Sequence, residues 1–208
     1  MKATDAFADL LRLGTPVVGT REAAVRLHLT VAAASRLLAG LADVGLVRRV
    51  SRGLWALRTD LDPFVLPAFL TAPYPAYVSL WSALARHGMI EQVPRSLYAV
   101  SLDRTRRIDT GFGPFSIHHV TPALFAGFIT TGRGIHLATP EKALFDTLYV
   151  TGPSGGEGYL PELELPAGFD ETAALGWLER IESARLRTLV GRSLRRALRQ
   201  AHPQSGGV

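Results

Sequence analysis

The segment between residues 20 and 57 constrains the fold of this chain most, because it predicts two short helices and a hairpin in immediate succession. Thr20 is expected to cap a helix over 21–28, and Thr30 to cap a second helix after a two-residue turn. Gly45 then supplies the left-handed conformation that ends many helices. The apolar residues of the second helix recur with the helical period and predict one buried stripe, made of Ala34, Leu37, Leu38, Leu41 and Val44.

Two segments of alternating polarity, 46–50 and 54–57, flank Ser51-Arg52-Gly53 and predict a hairpin with a basic tip. Two helices at an angle, followed by such a hairpin, form a winged helix–turn–helix. This module places one helix in a DNA major groove and the hairpin on the phosphates. The sequence therefore predicts a DNA-binding domain over residues 1–60. Winged helices also serve as protein-docking modules, and that interpretation stays open.

Charge favours the DNA-binding interpretation. Residues 1–58 contain nine Lys and Arg against four Asp and Glu, a balance of +5 that equals the formal net charge of the whole chain. Early in the second helix and away from its leucines lie the residues expected to reach base edges: Ala32, Ala33, Ser35 and Arg36. Arg36 is suited to guanine and the alanines to thymine methyl groups. Phosphate contacts are expected from four further arginines: Arg21, Arg48, Arg49 and Arg52.

The next segment marks a boundary, because four prolines fall within thirteen residues, 63–75. We predict a proline-rich linker over 61–75, packed through its apolar residues, and a second domain over 76–208. In the second domain the patterns predict a helix over 77–87, strands over 96–102 and 135–138, and a hairpin around Gly111-Phe112-Gly113. The predicted fold class is α+β: an N-terminal winged helix–turn–helix, followed by a mixed α/β domain with terminal helices.

Thr139-Pro140 is typical of a helix start, and the helix is expected to run to residue 150. Its predicted buried face consists of Leu144, Phe145, Leu148 and Tyr149. A Gly- and Pro-rich stretch, 151–158, predicts a flexible connection. From residue 183 onwards the chain has six arginines and no acid, and its apolar residues predict an amphipathic helix: Leu186, Leu189, Val190, Leu194 and Leu198. The arginines of this helix are either a solvated face or a contact for phosphate or a polyanionic partner.

Three segments of the second domain carry a family resemblance. They are YVSLWSALARHGMIEQVPRSLYAVS (77–101), SIHHV (116–120) and ATPEKALFDTLYV (138–150). Their order after a winged helix resembles the AbiEi family of bacterial antitoxins. The most specific parts are two short stretches: His87-Gly88 with Glu91-Gln92-Val93-Pro94, and Thr139-Pro140-Glu141-Lys142-Ala143-Leu144.

The resemblance implies an antitoxin that represses its own operon by binding inverted repeats in the promoter. Our own expectation is that it binds them as a dimer or as two copies side by side. The resemblance also implies a second domain that neutralises a nucleotidyltransferase-like toxin, directly or functionally. Residues 160–208 match no family pattern. Our own candidates for toxin neutralisation are therefore taken from the basic terminal segment: Arg192, Arg195, Arg196 and Arg199.

No catalytic or metal-binding pattern is found in the sequence. Cysteine is absent, and adjacent His118 and His119 would point to opposite faces of a strand. Glu141 and Asp146 are five residues apart, about 140° around a helix, and so do not share a face. We expect no cofactor, no metal and no enzymatic activity. The first residues lack the apolar core of a signal peptide, and no window has the composition of a membrane span, so a cytoplasmic protein is predicted.

A second function stays open at this stage. The chain would then be a one-component, ligand-responsive winged-helix repressor rather than an antitoxin. Its second domain would bind a small molecule in an aromatic pocket, for which the candidate residues are Trp81, Tyr98, Phe112, Phe115 and Phe145. Core packing explains these aromatic residues equally well.

Overall fold

The structure, a computed structural model, describes residues 2–132, 134–152 and 162–201. The chain divides into two compact units. Unit 1 consists of Met1–Pro63 and Asp109–Pro114, and unit 2 consists of Phe64–Ile108 and Phe115–Val208. Both units combine helices with strands, so the fold class is α+β, as predicted.

Unit 1 packs three helices on a small antiparallel sheet. The helices are α1 (Ala3–Leu11), α2 (Thr20–Arg26) and α3 (Val31–Asp43), and the strands are β1 (Val17–Gly19), β2 (Arg48–Ser51) and β3 (Leu54–Ala56). The strand order is β1-β3-β2, and α2 and α3 meet at a bend of 105°. Residues from every helix and from the sheet form the core: Ala6, Leu10, Val18, Ala23, Leu27, Leu38, Leu41, Val47, Trp55 and Leu57.

The prediction that Thr20 caps α2 is wrong, because Thr20 is the first residue of the helix and is buried. Its hydroxyl accepts a hydrogen bond from the buried Trp55 indole Nε1 at 2.9 Å. Gly19 occupies the N-cap position, and its backbone N–H donates to the Glu22 carboxylate at 3.3 Å. The hydroxyl is therefore used to satisfy a buried indole rather than a helix end.

The prediction for α3 is confirmed at its start and in most of its buried stripe. The Thr30 hydroxyl accepts from the Ala33 N–H at 3.2 Å, and Gly45 has a φ of +74°. Ala34, Leu38 and Leu41 are buried and Leu37 is half-buried, but Val44 is 69% exposed. Val44 fails to continue the stripe because α3 ends at Asp43.

Unit 2 is built on a six-stranded mixed sheet with the strand order β6-β7-β5-β4-β9-β8. Its strands are β4 (Ala76–Val78), β5 (Leu97–Ser101), β6 (Arg106–Thr110), β7 (Gly113–His119), β8 (Phe128–Thr130) and β9 (His136–Ala138). β4 pairs antiparallel with β5 and parallel with β9, while β5 and β7 are parallel. The turn between β6 and β7 falls in Asp109–Pro114, the segment that belongs to unit 1.

Helices of unit 2 accompany this sheet. They are α4 (Pro67–Leu70), α5 (Leu80–Arg86), α6 (Pro140–Thr151), α7 (Glu171–Gly176) and α8 (Ala184–Ala201), with 3-10 turns at Pro63–Val65, Pro122–Leu124 and Trp177–Arg180. The proline-rich segment predicted as a linker therefore contains a 3-10 turn and α4, and it buries Val65, Leu66 and Pro67. None of the helices in the described ranges is both long and apolar enough to cross a membrane alone; α2 and α3 meet those criteria only when taken together across their bend.

The predicted helix over 77–87 begins too early. Tyr77 and Val78 are paired in β4, between β5 and β9, and the helix starts only at Leu80. Burial on both faces of a central strand produces a continuous apolar run, which resembles a buried helix in sequence. The predicted strands over 96–102 and 135–138 and the predicted β6–β7 hairpin are confirmed, whereas β8 was not predicted.

Both late helices are present, with changes to their buried faces. In α6 the Thr139 hydroxyl accepts from the Lys142 N–H at 3.3 Å, and Leu144, Phe145 and Leu148 are buried as predicted, whereas Tyr149 is only half-buried. In α8, Leu189 is 39% exposed, whereas Gly191 and Ala197 are buried, so small residues replace a predicted leucine in the contact. The predicted flexible connection over 151–158 lies outside the described residues from 153 onwards.

Candidate nucleic-acid interface

The outer face of α3 carries the residues predicted to read bases. Ala32, Ser35 and Arg36 are exposed, and Ala33, whose N–H is bound by the Thr30 cap, is half-buried. Ala39 and Gly40 continue the same face one turn later and are also exposed. This surface has small side chains apart from Arg36, so a groove wall can approach the helix closely while a single guanidinium extends from it.

A backbone hydrogen bond ties the hairpin turn to the start of α2. The Thr20 N–H donates to the Gly53 carbonyl at 2.8 Å. Arg21 follows Thr20 in the chain, and Arg52 precedes Gly53. The side chains of both arginines are exposed. Two arginines predicted to contact phosphates therefore lie on hydrogen-bonded backbone segments, although they are distant in sequence. Their positive charges reinforce each other there.

The remaining two predicted phosphate ligands of the hairpin differ from each other. The exposed Arg49 guanidinium lies 5.8 Å from the Trp55 ring centre. Arg48 donates to the Gly111 carbonyl and lies over the Phe112 ring, 4.3 Å from its centre. The Arg48 guanidinium is thus used within unit 1 to hold the 109–114 turn, a contact that sequence patterns did not reveal.

Gly111 is placed where only a glycine fits. Its N–H donates to the Val50 carbonyl at 3.0 Å, and a Cβ built at this position would overlap the Arg49 carbonyl oxygen. The 109–114 turn is therefore seated directly on the backbone of β2. Close backbone approach of this kind is a common reason for glycine in a turn.

In unit 2 the predicted basic face of α8 is exposed. Arg192, Arg195 and Arg199 line one groove, together with residues of α7 and the following 3-10 turn. Arg196 is exposed too, but it is not among the groove residues. The four candidate residues for toxin neutralisation are thus divided between a groove and an open surface.

Unit 2 also buries an ion pair that sequence reasoning missed. Lys142 and Asp146, both fully buried, form a salt bridge across one turn of α6. Asp146 Oδ2 also accepts from Tyr77 Oη at 3.0 Å and from Ser79 Oγ at 2.7 Å. Burial raises the pKa of Asp146 and lowers that of Lys142, and their mutual attraction opposes both shifts. The available signal was the i, i+4 spacing of Lys and Asp inside an otherwise apolar helix.

Aromatic rings complete the surroundings of this ammonium group. Lys142 Nζ lies 4.6 Å from the centre of the Trp177 ring and 5.0 Å from that of Phe145. The Tyr77 ring stacks on Phe128 at 4.7 Å, and burial, followed by the charge of Asp146 and its hydrogen bond, raises the Tyr77 pKa. The cluster joins β4, β8, α6 and the 3-10 turn after α7. The charged groups at its centre are buried, whereas the Phe128 and Trp177 rings at its edge are half-buried.

The two most specific stretches of the family resemblance meet in unit 2. His87, the C-cap of α5, has its Nε2 2.7 Å from the carbonyl oxygen of Ala138, the residue before the Thr139 cap. Val93 in the first stretch is 88% exposed, and Glu91 and Gln92 beside it are exposed as well. The start of this stretch, His87, therefore contacts the segment before α6, whereas its end, 91–93, is exposed to solvent.

The five aromatic residues named for a ligand pocket are divided between the two units. Phe115 and Phe145 are buried in unit 2, whereas Phe112 lies in unit 1 under Arg48. Ser116 Oγ lies 2.9 Å from His118 Nε2 on β7, and His118 stacks on Tyr98 while His119 is exposed, so the two histidines lie on opposite faces as predicted. Burial, followed by the charge of Arg107, lowers the pKa of His118.

Comparisons with known proteins leave these features to be interpreted on their own. The sequence matches no model of a known protein family, and it matches no curated protein. Among the described residues no group of three or more His, Asp or Glu is arranged to hold a metal ion.

Proposed function

We propose that this protein is a transcriptional repressor whose unit 1 is a winged helix–turn–helix that binds promoter DNA. In this proposal α3 enters the major groove and the β2–β3 hairpin is the wing. The observation that carries the proposal is the joining of the wing to α2 by the Thr20–Gly53 hydrogen bond, which places Arg21 and Arg52 together. Arg36, on the exposed face of α3, reads a base, and Arg49 adds a phosphate contact.

We further propose that the protein is the antitoxin of a bacterial toxin–antitoxin pair, as the AbiEi resemblance implies. Unit 1, in two copies, binds inverted repeats and represses the operon. Unit 2 neutralises a nucleotidyltransferase-like toxin through exposed surfaces. Their candidates are the basic face of α8 (Arg192, Arg195, Arg196 and Arg199) and the exposed Glu91-Gln92-Val93 segment.

The DNA-binding proposal is tested with the full-length protein and a fluorescent duplex covering the promoter of its own operon. Binding of that duplex at nanomolar to micromolar concentration, with at least tenfold preference over a scrambled duplex, supports it. Arg36→Ala and Arg52→Ala should both weaken binding, whereas Arg95→Ala, an exposed arginine of unit 2, is the matched control. Equal binding of promoter and scrambled duplexes would contradict sequence-specific repression.

The antitoxin proposal is tested in bacteria by inducing the adjacent gene alone or together with the full chain. Growth arrest by the gene alone, and rescue by the full chain, supports it. Co-expression of the Arg36→Ala, Arg52→Ala double variant shows whether rescue depends on DNA binding. If the adjacent gene is not toxic, or if the full chain does not rescue growth, the antitoxin proposal fails while the repressor proposal stands.

The alternative, a one-component repressor that responds to a small ligand, is favoured by one observation. Unit 2 contains a groove of about 720 Å³, which is within the size range of small-molecule sites. Release of promoter DNA on addition of a ligand, by a protein that gives no rescue from toxicity, would select this alternative.

A further inference from the structure

The charged side chains that line the groove of unit 2 are predominantly positive. The groove lies between α8 and residues 172–179, and it is lined by four arginines against a single acid, Glu179. Its apolar floor is formed by Leu175 and Leu178. A concave surface with a basic wall and an apolar floor is suited to an anionic ligand that also has a nonpolar part.

Within the described part of the chain, none of the four guanidinium groups is paired with a carboxylate, and three of them also lack a hydrogen bond. Arg187 donates from Nε and Nη2 to the Ile181 carbonyl at 3.0 and 2.6 Å. By contrast, no hydrogen bond or ion pair to a described residue engages Arg192, Arg195 or Arg199. Like charges that line one cavity repel one another, so an anion placed between them is favoured.

Gly191 gives one of these groups its position. A Cβ built on Gly191 would lie 3.1 Å from Arg195 Nη1 and 3.2 Å from Leu178 Cδ1. The missing side chain lets the guanidinium lie against the backbone of α8, beside the apolar floor. Arg192, Arg195 and Arg199 also follow each other at i, i+3 and i+7, which places them on one face of the helix.

We propose that this groove binds a compact anion that carries two or more phosphates, such as a nucleoside triphosphate or inorganic triphosphate. A guanidinium group binds phosphate oxygens through two parallel hydrogen bonds. Three such groups without partners among the described residues line the groove, so a chain of phosphates can occupy more of them than a single carboxylate can. The concave shape of the groove favours a small molecule over a flat acidic protein surface. The site goes beyond the DNA-binding function proposed for unit 1. It shares Arg192, Arg195 and Arg199 with the surface proposed above for toxin neutralisation, so the two proposals compete for this face of α8.

The test is isothermal titration of the full-length protein with ATP, inorganic triphosphate and inorganic phosphate. We expect triphosphate and ATP to bind and to raise the melting temperature, with phosphate much weaker. In the Arg192→Gln, Arg195→Gln double variant the affinity should fall by about tenfold or more, because charge-assisted hydrogen bonds are lost. Arg185→Gln, an exposed arginine of α8 outside the groove, is the matched control and should bind normally.

Gly191→Ala provides a second variant that keeps every charge. Its methyl group would press on Arg195 Nη1 and Leu178 Cδ1, so we expect a loss of triphosphate affinity smaller than that of the double variant, with helix content checked by circular dichroism. Tighter binding of ATP than of triphosphate identifies a nucleotide as the ligand, and equal binding identifies the phosphate chain alone.

The proposal is overturned if neither ATP nor inorganic triphosphate binds at a concentration of about 1 mM, because a specific site should bind its ligand more tightly than that. Unchanged affinity in the double variant also overturns it. Tighter binding of a glutamate-rich peptide than of triphosphate would instead assign the groove to an acidic protein. Promoter binding by the same preparations is scored separately, so failure of this site leaves the repressor proposal unaffected.

Discussion

Lys142 and Asp146 illustrate how much depends on single residues in unit 2. Lys142→Met would leave the Asp146 charge buried with only the Tyr77 and Ser79 hydroxyls to stabilise it. Breaking a buried ion pair by removing one partner typically costs about 3–5 kcal/mol. We therefore expect Lys142→Met to lower the free energy of unfolding by about that amount, as measured by urea denaturation.

The double variant Lys142→Met, Asp146→Asn is the control for this prediction. It removes both charges, nearly retains the volume and keeps an oxygen that accepts from Tyr77 and Ser79, so it should be markedly more stable than Lys142→Met alone. The two side chains would not act as a pair if the double variant lost as much unfolding free energy as the two single variants, Lys142→Met and Asp146→Asn, lose in total.

We expect His118 to make the stability of unit 2 dependent on pH. Because burial and the charge of Arg107 lower its folded pKa, the unfolded chain binds the proton more readily. The contribution of neutral His118 is complete above the unfolded value of 6.5 and is lost as the pH falls below it. We expect the melting temperature to decrease from pH 7 to pH 5, and His118→Gln to reduce that slope.

Arg36 and Arg52 should affect DNA binding in different ways. Arg36→Ala removes the long polar side chain on the outer face of α3, so it should cost about 1–3 kcal/mol on the promoter and much less on a scrambled duplex. Arg52→Ala should weaken both duplexes alike, because a phosphate contact carries no sequence information. Fluorescence anisotropy with both duplexes measures the difference. Unchanged promoter preference in Arg36→Ala would place the reading residue elsewhere.

At the scale of elements, the packing of the 109–114 turn on β2 can be tested by a single substitution in unit 1. Gly111→Ala places a methyl group against the Arg49 carbonyl oxygen, so the turn must move away and loosen the Arg48 contacts. Overpacking of this kind costs about 1–3 kcal/mol, measured as a lower free energy of unfolding. Gly176→Ala, where a Cβ meets open space, should be nearly neutral. Equal effects of the two changes would contradict this packing.

Local capping signals placed the starts of α3 and α6 correctly, whereas the same kind of signal at Thr20 was misleading. Thr30 before α3 and Thr139-Pro140 before α6 satisfy helix-end N–H groups within their own neighbourhood, so the sequence is sufficient to place both starts. β4 was mistaken for the start of a helix because it is buried between two strands and its apolar run has no visible period. Element boundaries were therefore mispredicted where tertiary burial decided the role of a residue, as it did for Thr20 and for β4.

At the scale of the whole molecule, DNA affinity should depend steeply on salt. Each phosphate neutralised by an arginine contributes a slope of about −0.9 to the dependence of log K on log salt. Removing Arg52 should therefore make the slope shallower by about one. The control Arg95→Ala should leave it unchanged. A slope near zero in the full-length protein would contradict binding through phosphates.

The sequence by itself determined the α+β class, the capped helices α3 and α6, and the exposure of Arg21, Arg36 and Arg52. These features follow from hydrogen bonds and periodicities among residues a few positions apart. Only the tertiary structure decided which partners distant residues have. It pairs Arg48 with Gly111 and Tyr77 with Asp146, separated by 63 and 69 positions, because such contacts form only when packing brings remote segments together.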